Sequence, residues 1–305
     1  GDGGKHTLRV SESASVDVTA SGLVTLATVN STAGNITVAS VSDSIAIDTA
    51  SSVGGDSAFT AANNVTVGTA NSTGAIDVDS TNGGTLDMGT LNAGSSIDLD
   101  TSGSIVTGTL TAGTVLSIGA NTPASDVTVN GPINAGAMNA TSVGTFTSNA
   151  AIDAGSSATI SSGDIDLAVG SSLDASEVLL RVSSTGQVIL GEGTGVYVLS
   201  NDELSRVVTP NMLVDAQSND VGVADVTFAS GTGSNSFDVA TVGQVNLTGN
   251  VTGDGAGRSF GFGGSANTIA NGGSELASRV TADIDNASYD FGAATVIVRG
   301  EDIVF

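Results

Sequence analysis

The chain lacks cysteine and tryptophan altogether, and its 305 residues include only three prolines, one histidine and seven basic residues. Each shortage excludes something. Without cysteine there is no disulfide, no thiolate nucleophile and no thiolate metal site. The bases Lys5, Arg9, Arg181, Arg206, Arg258, Arg279 and Arg299 face 31 acids, for a formal net charge of −24. Between Arg9 and Arg181 there is no basic residue. Nothing in that span can neutralise a phosphate backbone or an anionic lipid surface, so nucleic acid and anionic membrane are excluded as partners. No apolar run reaches the length of a membrane-spanning helix, and no membrane insertion is expected.

Two further absences concern the first residues. His6, the only histidine, lies in a terminal stretch read as frayed and solvated, so no hydrolytic triad is expected from it. The opening GDGGKHTLRV has no apolar signal-peptide core. Any export signal is therefore expected outside this chain, which reads as a processed product or a fragment.

What is present is small and aliphatic. Hydrophobic residues make up 39%, aromatics 3% and charged residues 12%, with 42 glycines. Disordered chains combine low hydrophobicity with high charge, so this composition describes a folded protein with a Val, Ile, Leu and Ala core.

The pattern is clearest in Ala75–Asp100, AIDVDSTNGGTLDMGTLNAGSSIDLD. Its apolar-x-apolar pairs Ile76/Val78, Leu86/Met88 and Ile97/Leu99 are evenly spaced, and the step from Ile76 to Ile97 defines the period. Short alternation between turn residues marks strands with one buried face, and a fixed interval marks a coil of repeated strands. The same pairs appear at Val16/Val18, Val24/Leu26, Ile36/Val38, Ile45/Ile47 and Val65/Val67, and later at Ile165/Leu167, Val178/Leu180 and Val188/Leu190. Glycine and β-branched residues oppose helix. The expected fold is all-β, a right-handed parallel β-helix with coils of about 20 residues.

Residues 1–195 are expected to form the regular solenoid and 196–305 its continuation. Ala50–Ala61 reads as a loop or irregular coil. Between Asn130 and Ile160 the pattern thins to single apolar residues, Ile133, Met138, Val143 and Phe146, and predicts narrower strands. SNDELSR predicts a helical turn near 200–206, with Ser200 or Asn201 as N-cap, before a strand at Met212–Val214. Residues 252–274 read as a glycine-rich surface loop, with Phe260 and Phe262 as the alternative basis of a contact surface. A second helical turn is expected at Ser274–Val280, followed by closing strands at Val296/Val298 and Ile303/Phe305.

Two segments carry a family resemblance. Leu199-Ser200-x-x-Glu203-Leu204-x-Arg206-Val207, followed by a turn and a strand, and the closing ATVIVRGEDIVF, Ala294–Phe305, resemble elements of filamentous-haemagglutinin-like large bacterial exoproteins. The resemblance implies a right-handed parallel β-helix that is secreted or displayed on the outer surface of a bacterium, with a role in adhesion or biofilm.

One set of residues is a candidate binding site. Asp98 follows Asp77, and Asp100 follows Asp79, at the same interval that separates Ile97 from Ile76. On a β-helix they stack on neighbouring coils about 5 Å apart. Like charges so close are unfavourable, and Ca²⁺ bound by Asp77, Asp79, Asp98 and Asp100 would relieve the repulsion, as would simple solvation and salt. No other cofactor is expected. Thr37, Thr66 and Thr128 suggest a threonine ladder able to order water, although no regular T-x-T array is visible. The sequence therefore predicts a non-enzymatic stalk, adhesin or matrix component that binds a surface ligand or itself. The alternatives are a filament subunit stacking end to end, and a polysaccharide-active enzyme with carboxylates and arginine clustered in a cleft.

Overall fold

The computed structural model describes residues 6–9, 15–228, 236–253, 259–264, 275–282, 288–290 and 295–305. The chain forms two compact units, Gly1–Gly155 and Ser156–Phe305. Both are built of parallel strands stacked turn upon turn, and over the whole chain the β-solenoid has about 21 residues per turn. The expected fold class and period are borne out. The division falls after Gly155, ahead of the change of texture near Gly195.

In the first unit each turn contributes three buried columns. Val16, Ile36, Ser57, Ile76, Ile97, Leu116 and Met138 are in register on one face. Val24, Ile45, Val65, Leu86, Ile105, Val127 and Phe146 are in register on a second. The third runs Val29, Ala50, Ala70, Leu91, Leu110, Ile133 and Ile152. All of these side chains are buried. Strands such as Ile45–Ser52 and Val65–Ser72 bend once and supply two of the three faces. Close stacking at the bend requires glycine: a Cβ on Gly89 would overlap the Gly68 carbonyl oxygen.

Side chains join each turn to its neighbour. The buried hydroxyls of Ser40, Ser52, Ser72 and Thr101 donate to the carbonyls of Gly22, Gly34, Gly55 and Gly84 on the preceding turn, at 2.6–2.8 Å. At the same two corners, Asn35 and Asp56 before the first column and Asn64 and Asp126 before the second accept the backbone N–H of Asp56, Ala75, Thr85 and Thr145 on the next turn, at 2.7–3.0 Å. Two of the acids, Asp56 and Asp126, are thus backbone acceptors, which satisfies N–H groups that the turn would otherwise strand.

The structure corrects several expectations. Ala50–Ala61 is regular: Ser57–Ala61 is a strand in register with Ile36–Ser40. Its pattern is hidden because Ser57 stands in an isoleucine column while Phe59, beside it, supplies the bulk. Between Asn130 and Ile160 the strands are narrow only in part: Ile133–Thr141 runs nine residues, whereas Thr145–Ser148 and Ala151–Asp153 run four and three. Ile133, Met138 and Phe146 are buried there, whereas Val143 is 67% exposed.

In the second unit one stack contains Ala158–Ser162, Glu177–Val182, Asn211–Asp215, Ser236–Ala240 and Ser259–Gly263. A neighbouring stack contains Val188–Gly191, Val221–Ala224, Gln244–Leu247 and Ala277–Ala282. Val178 pairs with Met212, a far longer step along the chain than that from Ile76 to Ile97, so this turn is enlarged. The insertion holds the helix Asn201–Leu204, capped as expected by Ser200, whose hydroxyl accepts from Glu203 N while Glu203 Oε2 accepts from Ser200 N.

Within the segment expected to be a glycine-rich loop, Ser259–Gly263 is a strand whose Phe260 and Phe262 are buried in the core. Residues 254–258 and 265–274 lie outside the described residues. The expected turn of helix at Ser274–Val280 is replaced by the strand Ala277–Ala282, because Ala277, Val280 and Ala282 are needed inside.

Candidate functional site

The expected aspartate ladder exists. The strands Ile76–Ser80 and Ile97–Thr101 are parallel neighbours, with Asp98 in register with Asp77 and Asp100 with Asp79. Ile76, Val78, Ile97 and Leu99 point inward and are buried, so alternation puts the four aspartates on the opposite face. They are not equivalent. Asp77 is exposed, Asp79 and Asp98 are half-buried, and Asp100 is buried at 6% exposure.

The turn that follows explains the difference. Asp100 Oδ1 accepts from the backbone N–H groups of Asn121 and Thr122, at 3.0 and 3.2 Å. Asp100 Oδ2 accepts from Asn121 Nδ2 at 2.5 Å, and the same amide nitrogen lies 3.5 Å from Asp98 Oδ2. Asp98 Oδ1 is buried and receives no hydrogen bond. Asn121, the residue that organises the cluster, does not show in the spacing of the apolar pairs. The sequence signal that could have found it is its position one full period after Asp100, in a turn rather than a strand.

The electrostatics follow from this packing. Burial, with Asp77 and Asp100 adding to it, pushes Asp79 up to about 6. Burial and the charges of Asp100, Asp77 and Asp79 push Asp98 up to about 6 as well. Asp77, the most exposed of the four, is still partly desolvated by its neighbours and is raised by that and by Asp100. Among the described residues no three acidic or imidazole side chains are set to hold a metal ion together. The face can concentrate negative charge and take up protons.

Of the threonines expected to form a ladder, Thr37 falls in one column and Thr66 and Thr128 in another, where Asp87 and Val106 stand between them. A different column exists instead: Thr28, Thr49, Thr69 and Thr90 are in register, beside Asn30, Ser51, Asn71 and Asn92. Asn92 Nδ2 donates to Asn71 Oδ1 at 2.8 Å. This strip carries no charge, in contrast to the aspartate face.

The second unit has a shallow groove over its sheet, floored by Leu179 and Leu213 and edged by Glu177, Asn211, Ser236 and Asp238. Asp238 pairs with Arg299 at 3.5 Å, yet burial still outweighs the guanidinium and raises its pKa. Glu177 and Asp238 are thus two carboxyls lining one groove, with Arg299 beside Asp238.

Comparison with family models, with curated proteins and with solved structures returned no match.

Proposed function

We propose that this chain is a non-enzymatic structural β-solenoid, a mechanical element of a stalk, adhesin or extracellular matrix on the outside of a bacterial cell. The observation that carries the reading is the register from Val24 to Phe146, in which every turn repeats the one before. Backbone ladders, hydroxyl locks and corner acceptors join each pair of turns, so a pull has to peel turns away one at a time. The absence of any base from residue 10 to residue 180 leaves trypsin-like proteases no cleavage site there, which suits an exposed location. The test is to stretch the full chain between its ends with optical tweezers and to label intact producing cells with an antibody. Expected are successive extensions of about one turn each, roughly 70 Å of chain, and surface labelling. A single low-force collapse, or labelling only after cell lysis, overturns the proposal.

A second reading is favoured by the strand Thr295–Val304. Among the described residues it pairs on one side only, with Ser259–Gly263 and Ala277–Ala282. Val296, Ile297, Ile303 and Val304 on it are 37–43% exposed. An open parallel edge with apolar side chains is a template for a further strand. Sedimentation over a concentration series tests self-assembly: association abolished by Ile297→Lys supports a filament subunit, and a constant monomer removes it.

A further inference from the structure

We infer that Asp98 and Asp100 share one proton, taken from solvent on acidification, and that this proton makes the aspartate ladder an acid-strengthened rung of the first unit. Asp98 Oδ1 is buried with no donor directed at it. A buried carboxylate oxygen without a donor is unfavourable, and a proton bound there removes the problem by making the oxygen itself a donor. Its acceptor is at hand, because Asp98 and Asp100 stand side by side on one face of the strand and the Asn121 amide nitrogen reaches an oxygen of each.

The geometry also decides which partner carries the proton. Asp100 accepts three N–H groups, from Asn121 N, Thr122 N and Asn121 Nδ2, so both of its oxygens already serve as acceptors. Asp98 has one long contact, from the same Asn121 amide. The proton therefore binds Asp98 Oδ1 and is donated to the Asp100 carboxylate, and the charge of the pair passes from −2 to −1.

Among the described residues no other charged group faces the pair. On the preceding strand Asp98 and Asp100 face Asp77 and Asp79. Those two face Ala58 and Thr60 one turn further back. On the following strand Asp98 faces Ser117, and the turn contributes neutral Asn121 and Thr122. The titratable groups are the four aspartates alone, and no base occurs in sequence from residue 10 to residue 180 to serve as counter-ion. Burial and like charge move Asp98 to about 6, in accord with this geometry.

The experiment is a ¹³C NMR titration of the aspartate carboxyls of the full chain, with the Asp98 signal assigned by its loss in Asp98→Asn. Thermal unfolding of both proteins across the same pH range accompanies it. The Asp98 carboxyl is expected to titrate near 6 and the wild-type Tm to rise as the pH falls from about 6 towards 4. Asp98→Asn, whose amide supplies a permanent donor to Asp100, is expected to raise Tm at neutral pH and to lose part of that rise. Asp87→Asn removes the same charge from an exposed position on another column and keeps the rise, which separates the shared proton from the effect of net charge. An ordinary aspartate midpoint for Asp98, or equal pH slopes in wild type and Asp98→Asn, overturns the inference. So does about 1 mM Ca²⁺ moving the Asp98 signal at neutral pH as acid does, since a cation then takes the proton's place. If Asp98→Asn fails to fold, the wild-type titration, assigned through backbone connectivity, decides alone.

Discussion

Ser72 Oγ donates a 2.6 Å hydrogen bond to the carbonyl oxygen of Gly55, seventeen residues earlier. The bond crosses from one turn of the solenoid to the one before, and Ser40, Ser52 and Thr101 repeat it. Replacing Ser72 with Ala removes one buried hydrogen bond and is expected to cost about 1 kcal/mol. The Gly55 carbonyl retains the N–H of Gly74, which keeps the loss at the modest end. Urea unfolding of Ser72→Ala against wild type measures it, and no change in midpoint would show that the hydroxyl is not a lock.

Ser57 and Phe59 compensate each other in the core. Ser57 Oγ is buried with no hydrogen-bond partner, so Ser57→Ala is expected to stabilise the protein by about 1 kcal/mol, by removing an unsatisfied group. Phe59→Ala, at a fully buried position, is expected to cost about 3–5 kcal/mol through lost burial and the cavity left behind. Thermal unfolding separates the two, since their effects on Tm have opposite signs.

The glycine column at the bend predicts a steric contrast. A Cβ on Gly89 would overlap the Gly68 oxygen, whereas one on Gly22 meets nothing within 4 Å. Gly89→Ala is therefore expected to destabilise by about 1–3 kcal/mol, since backbone has to move, while Gly22→Ala is neutral or slightly stabilising. Equal midpoints for the two variants would contradict the close packing at the bend.

Acid should strengthen the first unit through Asp79 as well as Asp98. The folded-state pKa of Asp79 is raised from 3.8 to about 6. Between those values the folded chain binds more protons than the unfolded one, so stability rises as the pH falls through this window and is lost as the pH rises through about 6. Refolding at a pH of about 5 is therefore expected to take up protons, measured with an indicator dye. Asp79→Asn should reduce the uptake, and release of protons on refolding would reverse the sign of the argument.

The sequence by itself determined the solenoid. A column of isoleucine, valine and leucine announces its burial at every recurrence, and pairs such as Ile76/Val78 and Ile97/Leu99 recur at the spacing of one turn. The helix at Asn201–Leu204 was legible for a different reason: its capping box joins neighbours along the chain, so all the partners lie within one short word of sequence. The tertiary structure decided what depends on neighbours a turn away. The third face is hidden because Ala50, Ala70, Ser52 and Ser72 are small and carry little apolar signal, yet packing against adjacent turns buries them completely or nearly so. Phe260 and Phe262 lie among glycines that look like loop until the register with Phe237 and Val239 places them inside. The aspartate ladder shows both contributions. Its spacing could be read directly, but the contrast between exposed Asp77 and buried Asp100 comes from Asn121, which the chain brings back one turn later to cover one end of the ladder.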